Sequence, residues 1–487
     1  MTSKPDSNQP ITVDFSISSV ERRWLLVLFD LLALNGAFLL SVQLRSDLEF
    51  RWDLLVERPT WFLLLNVLWF FFGYLFQVYD LEKAGQAQTA FVSVLQAGFL
   101  TAGIYPFIPY LPPALPPSRQ PLFIAVLLPI AFLLVGRGLY LLVFAQPIFR
   151  RRALIYGAGW AGQTIFRAIN EHGESLYELV GFVDDDPSKH GEAIAIHHED
   201  SGGPLEQPVQ LAVIGGRQDI RALIRKHRVH TVVLAVTHNV GGDLLQVLTD
   251  SLQQGIEVLP MPVLYEQLTG KVPVEHIGDH WSVSMPIEHP GTRAFWHLAK
   301  RFFDILWASL GLILLAVLFP FLALAIYLDS PGPILYTQER VGRYGRSFRV
   351  IKFRSMVPDA EKDGAVWARE KDDRVTRVGR FLRKMHIDEF PQFVNILKGD
   401  MSVVGPRPER PEFIEELAED IPFYRVRHAV KPGMAGWGLI HQGYGASKED
   451  ALVKLQYDLY YIKHQSFWLD LMILGRTFLD AFSFGGR

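Results

Sequence analysis

Asp388 and Glu389 are adjacent acids in the stretch His386-Ile387-Asp388-Glu389-Phe390-Pro391-Gln392, which follows a strongly basic segment. Neighbouring residues on a helix do not share a face. Two adjacent carboxylates therefore suit two different jobs rather than a shared-proton dyad. One carboxylate can attack phosphorus and form an aspartyl-phosphate type intermediate. The other can orient the attacking group or hold Mg²⁺, because hard cations take oxygen ligands. By residue type alone the same two acids read more readily as a solvated pair at a helix end.

The elements that must position this pair lie on both sides of it. A basic helix is expected from about Val378 to Lys384, and Pro391 ends the turn that carries the acids. Upstream runs FFDILWASLGLILLAVLFPFLALAIYL, residues 302–328, in which Asp304 is the only charged residue. About 20 apolar residues suffice to cross a bilayer. Yet Lys300 and Arg301 precede the run, and Arg340, Arg343, Arg346 and Arg349 follow it. Cationic flanks prefer the cytoplasmic side, so positive charge at both ends conflicts with a simple crossing. Pro320 removes a backbone donor and kinks a helix. A bent helix that enters and leaves on one face satisfies both observations; a crossing helix with a tolerated kink is the alternative. Residues 466–484 are apolar and aromatic, but Asp470, Arg476 and Asp480 favour an interfacial helix over a crossing one.

Several motifs follow one another across this half: Ile351-Lys352-Phe353-Arg354-Ser355-Met356, Arg374–Arg380, the Asp-Glu stretch, and Lys398–Pro408 with Pro406-Arg407-Pro408 inside it. Val430–Trp437 and Tyr457–Lys463 complete the set. Together they resemble the catalytic domain of the monotopic phosphoglycosyl transferases, the bacterial polyprenol-phosphate sugar-1-phosphate transferases, over about residues 290–487. In that family the re-entrant helix breaks at Ser-Pro, whereas this chain has Phe319-Pro320. A serine can hydrogen-bond the carbonyls that proline frees, and phenylalanine cannot. The resemblance implies that Asp388 is the nucleophile, with Glu389 beside it and Mg²⁺ held by both. Attack on the pyrophosphate of a nucleotide sugar piles up negative charge, which preorganised cations stabilise. Lys352, Arg354, Arg383 and Arg407 each sit in a matching motif and are the expected phosphate-binding residues. A guanidinium fork binds phosphate in a bidentate way, and the prolines beside Arg407 limit its wander. The implied reaction moves a sugar-1-phosphate from a UDP-sugar, with glucose or galactose leading and N-acetylhexosamines possible, to undecaprenyl phosphate and releases UMP. The implied setting is the cytoplasmic face of the bacterial inner membrane, at the start of O-antigen, capsule or exopolysaccharide assembly, in a homodimer.

The N-terminal half carries different signals. Residues 1–20 form a polar tail without the apolar core of a cleavable signal peptide. Apolar runs at about 24–44, 61–80, 88–110 and 121–145 predict a four-helix transmembrane bundle over 21–149. No polar dyad is expected deep in these helices, which argues against transport. Residues 150–262 read as a Rossmann-like α/β domain. An apolar strand leads into Gly157-x-Gly159-x-x-Gly162, and Asp184-Asp185 end the next strand, Asp184 lying 22 positions after Gly162. That is the layout of a dinucleotide-binding turn, although fold does not imply function and a scaffold without nucleotide is the preferred reading. The stretch from Asp186 to Gly203 reads as a surface loop. Residues 263–299 are expected to be a linker with short strands; His276, His280, His289 and His297 along it fit no metal-site spacing. The catalytic domain then occupies 300–487.

The expected fold is thus a membrane α-helical bundle, a Rossmann-like α/β domain and a mainly α (α+β) monotopic catalytic domain with a re-entrant helix at about 302–328. The chain has 487 residues, 49% hydrophobic but 20% charged, with a net charge of −3. That charge gives a nucleic-acid partner no electrostatic support. With no cysteine, disulfides, thiolate metal sites and cysteine nucleophiles are excluded. A membrane-anchored nucleotide-sugar dehydratase or epimerase would need a Tyr-x-x-x-Lys pair after the glycine turn; Tyr79/Lys83 and Tyr444/Lys448 have the spacing but lie elsewhere. A non-catalytic assembly scaffold would not need the acids and four cations.

Overall fold

The computed structural model describes residues 19–44, 57–113, 118–144, 146, 149–196, 209–236, 242–253, 255–274, 290–358, 360, 372–421, 423–442 and 447–482. They divide into two compact units, Met1–Leu264 and Tyr265–Arg487. The polar tail to residue 18, residues 275–289 of the expected linker with His276, His280 and His289, and Tyr444 lie outside the described residues.

The first unit begins with four apolar helices, α1 (Ser19–Gln43), α2 (Pro59–Leu75), α3 (Ala87–Ile104) and α4 (Arg119–Phe144). Three of them are long and apolar enough to cross a membrane, while α2 has only 17 residues. The apolar pattern runs on to residue 80, but the helix stops at Leu75 because Gln77 adopts a positive φ of 55°. The expected absence of deep polar dyads is corrected here. Asp30 of α1 and Arg137 of α4 form a buried ion pair at 3.0 Å. Asn35 and Asn66 exchange side-chain amide bonds of 3.0 and 2.9 Å between α1 and α2. Each residue reads alone as one polar position in an apolar run; only helix packing makes them pairs. Trp69 Nε1 also donates to Tyr79 Oη at 2.9 Å.

A six-stranded sheet follows in the same unit: β1 (Arg151–Tyr156), β2 (Tyr177–Val183), β3 (Ala193–Ile196), β4 (Val209–Gly215), β5 (Thr231–Leu234) and β6 (Glu257–Pro260). Its order is β3-β4-β2-β1-β5-β6, with every pairing parallel except β3 with β4. Ala153–Tyr156 are all buried, as the continuous apolar run of a central parallel strand requires. Helices α5 (Trp160–His172), α6 (Ile220–His227) and α7 (Gly242–Gln253) alternate with the strands. The stretch from Asp186, expected as loop, forms a turn at Pro187–Lys189 and then β3 in its described part. Four residues of Ala-Ile-Ala-Ile are too short a signal alone, and the edge of β4 supplies their pairing.

The second unit is built on α8 (Pro290–Asp329), 40 residues of uninterrupted helix with Pro320 inside. In its described parts the linker expected to carry short strands is helical at Met261–Thr269 and from Pro290 onward, and residues 270–274 form no strand. The hairpin β7 (Leu335–Val341) and β8 (Ser347–Phe353) comes next. After it come α9 (Arg377–Lys384), the 3-10 turn Ile387–Gln392, α10 (Phe393–Lys398) and β9 (Ser402–Val404), which pairs parallel with β10 (Gly433–Ala435). The long helix α11 (Lys448–His464) and α12 (Phe467–Phe482) close the unit. Ala308 of α8, Ile396, Met401, Val404, Trp437, Tyr461 and Ile473 share one core. Leu312, Leu315, Leu322 and Ile326, on both sides of Pro320, share another with Phe353 and Leu382.

Candidate active site

The acids sit in a turn held from both directions. Thr376 accepts from Gly379 N at 3.0 Å and starts α9, while Asp329, the last residue of α8, accepts from Val378 N at 2.8 Å. A Cβ on Gly379 would lie 2.0 Å from the Ser355 carbonyl, so only glycine lets α9 approach that strand end. His386 then takes a positive φ of 56° and turns the chain into the 3-10 segment carrying Asp388 and Glu389.

Both carboxylates are buried, Asp388 being 8% and Glu389 6% exposed. Lys352 Nζ of β8 reaches Glu389 Oε1 at 2.7 Å, and Arg407 Nη2 reaches the same oxygen at 2.7 Å. Arg407 Nη1 stands 3.5 Å from Oε2. Burial would push the Glu389 carboxyl up, but the charges of Arg407 and Lys352 reverse it and hold the group well below the usual carboxylate range. Asp388 behaves oppositely. Burial, followed by the neighbouring Glu389 charge, raises its carboxyl above the ordinary value against Lys352, Arg383 and Arg407. Burial likewise lowers the Lys352 ammonium, with Glu389 opposing. Among the described residues no side chain hydrogen-bonds to Asp388. The two adjacent acids are thus one fixed anion braced by cations and one carboxylate left for other partners.

The other expected cations are placed differently. Arg383 Nε donates to Ser355 Oγ at 2.9 Å, and its charge acts on Asp388. Arg354 donates to the Ser330 and Pro331 carbonyls just after α8, so its guanidinium braces that turn and makes no bond to the carboxylate pair. Pro320 lies within α8, nine residues before its end at Asp329. In the other unit, Gly157 has φ +108° and Gly162 faces Gly157 O, where a Cβ would stand 1.9 Å away. A Cβ on Gly159 would meet nothing within 4 Å. Asp184 accepts from Ala158 N at 2.8 Å, Asp186 N at 2.9 Å and Lys189 Nζ at 3.1 Å.

Sequence reasoning overlooked the residues that tie α8 to the site. Asp304 accepts from Ser402 Oγ and Val403 N, both at 2.9 Å, and so holds β9, which leads into Arg407. Lys300 Nζ bonds Asp470 at 2.5 Å and Val404 O at 3.1 Å. Asn395 accepts from Ile351 N at 3.1 Å and donates to Arg349 O at 2.8 Å, fixing β8 beside the acids. A charge inside an apolar run was the one signal available, at Asp304. No cluster of three or more His, Cys, Asp or Glu able to hold a metal occurs among the described residues.

Fold and site define the class: a helix apolar enough for a membrane, and in the same unit two adjacent buried acids of which one, Glu389, is braced by cations. The Bacterial sugar transferase family matches residues 295–483. Over 233 residues the chain is 42% identical to the UDP-N-acetylgalactosamine-undecaprenyl-phosphate N-acetylgalactosaminephosphotransferase of Aeromonas hydrophila, covering 48% of this chain and 54% of that one. It is 33% identical to the undecaprenyl-phosphate glucose phosphotransferase of Komagataeibacter xylinus over 72% of this chain and 63% of that one. Against the UDP-glucose:undecaprenyl-phosphate glucose-1-phosphate transferase of Escherichia coli (strain K12) the identity is 31%, over 68% of each chain. The chain therefore spans 54% and 63% of the length of the first two relatives. The protein belongs to the bacterial sugar transferase family.

Proposed function

We propose that the protein transfers a sugar-1-phosphate from a UDP-sugar to undecaprenyl phosphate, releasing UMP and initiating polysaccharide synthesis. The observation that carries this reading is the division of labour between Asp388 and Glu389: the cations engage Glu389 and leave the Asp388 carboxylate available. An Asp388 oxygen attacks the sugar-bearing phosphorus, and the bond from that phosphorus to the oxygen of UMP breaks. An oxygen of the lipid phosphate then attacks the same phosphorus, and the Asp388–phosphorus bond breaks to free the carboxylate. Splitting one transfer into two in this way gives ping-pong kinetics. Lys352 and Arg407 are positioned to share their donors between Glu389 and substrate phosphates, with Arg383 adding charge near Asp388. Arg354 contributes by bracing the turn after α8.

The donor set suits a divalent cation as a partial shell. Among the described residues no side chain hydrogen-bonds to Asp388 and Glu389 Oε2 has only the 3.5 Å contact, and Mg²⁺ is usually held by one or two carboxylates plus substrate phosphates. Bound there, Mg²⁺ would neutralise charge on the departing UMP.

We read α8 as re-entrant on the cytoplasmic face of the inner membrane. Support comes from Asp304, near the start of its apolar run, and Asp329, at its end, which both bond to the same unit, and from the apolar residues around Pro320 that pack on it. The N-terminal unit is read as a membrane bundle with a Rossmann-like scaffold, and a homodimer is expected. Relatives named for N-acetylgalactosamine and for glucose make both the first sugars to test.

The deciding experiment incubates enzyme, Mg²⁺ and a panel of UDP-sugars without lipid and weighs the intact protein. One sugar should add a sugar phosphate that maps to the Asp388 peptide and vanishes when undecaprenyl phosphate is supplied. No adduct, with kinetics requiring both substrates bound together, would instead favour direct attack by the lipid phosphate. For topology, cysteines introduced near Arg293 and Arg343 of this cysteine-free chain should be labelled from the cytoplasmic side only; periplasmic labelling of either would sink the re-entrant reading.

A further inference from the structure

Proline has no N–H, so the segment Pro406-Arg407-Pro408 is tied down chiefly through its carbonyls. Four consecutive ones are engaged. Pro406 O accepts from Gly433 N at 2.9 Å, Arg407 O from Arg427 Nη2 at 3.1 Å, Pro408 O from Arg340 Nη1 at 3.1 Å, and Glu409 O from Val341 N at 3.0 Å. The donor on Arg407 itself belongs to a buried charge. Arg427 and Asp458 keep 4% and 5% of their side chains exposed. Their ion pair is 2.8 Å long, and Arg427 Nη1 also meets Tyr424 Oη at 2.7 Å. Paired acid, buried arginine, main-chain carbonyl, reaching guanidinium and Glu389 thus form one continuous chain.

A buried ion pair is weak evidence of net stabilisation, because desolvation offsets much of the attraction. What it does supply here is direction: Asp458 fixes the Arg427 fork, and the fork fixes the peptide from which Arg407 reaches Glu389. We propose that Arg427 and Asp458 are positioning residues for Arg407, setting where its guanidinium stands relative to the carboxylate pair. This rests on the proposed reading of Arg407 as a phosphate-binding cation. Neither residue touches substrate in this account; both act through the Arg407 main chain.

A double-mutant cycle on the full chain in lipid nanodiscs tests it, measuring kcat, KM for the UDP-sugar and thermal midpoint. Arg427→Met is expected to lower kcat about 100-fold, the scale of a 1 Å misplacement, with a smaller change in KM. In an Arg407→Ala background the same substitution should cost less than about 3-fold more, because coupled residues are not additive. The fall in thermal midpoint should be the same in both backgrounds. If Arg427→Met does not fold, Asp458→Asn replaces it, with about 10-fold expected in wild type and little in Arg407→Ala. Equal losses in both backgrounds would overturn this inference alone, since the pair would then act on the fold and not through Arg407. Wild-type turnover from Arg407→Ala would overturn the reading of the site and this inference with it.

Discussion

The glycine turn of the first unit and the acidic turn of the second are made from similar parts: a tight backbone, two consecutive acids and nearby cations. They differ in how many of their acids are taken up. Asp184 draws its donors from Ala158, Asp186 and Lys189, and Asp185 is met by Tyr156 Oη at 2.6 Å and by Arg217. Burial opposes ionisation of Asp184, yet those bonds hold its carboxyl below the ordinary range. Both acids of this turn are therefore bonded. At the acidic turn Lys352 and Arg407 both go to Glu389, and among the described residues no side chain hydrogen-bonds to Asp388 beside it. A motif whose acids are both bonded is finished as structure. One with a member left over has capacity for a ligand.

Exchanging amides for acids sets the two turns against each other. Asp388→Asn should lower transfer by at least about 10³-fold, because the attacking atom is gone. Asp184→Asn should leave transfer intact and cost about 1 kcal/mol of stability; radiolabel transfer to extractable lipid and thermal unfolding measure the two. Equal losses of transfer would erase the contrast. Next in size, Glu389→Gln should cost about 10²-fold in kcat through misplaced Lys352 and Arg407, while the Asp388 adduct still forms slowly in the mass spectrum.

Within the glycine turn the structure separates positions that look alike in sequence. Gly162→Ala should destabilise the protein by about 1–3 kcal/mol through overpacking, since its Cβ would stand 1.9 Å from Gly157 O. Gly159→Ala should be nearly neutral in thermal unfolding. The smallest effect concerns His428. Burial, then the charges of Arg427 and Arg425, lower its imidazole to about 4. The folded state thus resists a proton that the unfolded chain accepts near pH 6.5. The contribution is therefore full above that pH and is lost as pH falls towards 4. After solvent screening this amounts to no more than about 1 kcal/mol. In His428→Gln the acid-side fall in thermal midpoint should be shallower.

Much of this was legible in the sequence because it is local. Apolar runs mark α1, α3, α4 and α8, alternation of apolar runs with glycine marks the sheet, and the Asp-Glu turn stands out by composition. The boundary of α2 was hidden by Gln77, whose backbone and not its hydropathy ends the helix. The supports of the site were hidden by distance: Arg427 and Asp458 lie 31 residues apart, and Lys300 and Asp470 lie 170 apart. No periodicity links such positions, since only the packed fold decides which charges meet. Arg354 shows the converse, a cation in the right motif whose fork faces the carbonyls after α8.

The Asp30–Arg137 pair has a bearing on how this chain can change over generations. The two positions are 107 residues apart yet joined by one buried bond, so they should be inherited as a single character. Altering either alone strands an uncompensated charge among apolar helices, a penalty of about 3–5 kcal/mol. A well-packed apolar pair there could be as stable as the ionic one, but every one-step route to it descends through a damaged bundle. Descendants of this sequence should therefore keep both charges or lose both, and intermediates carrying one should be scarce.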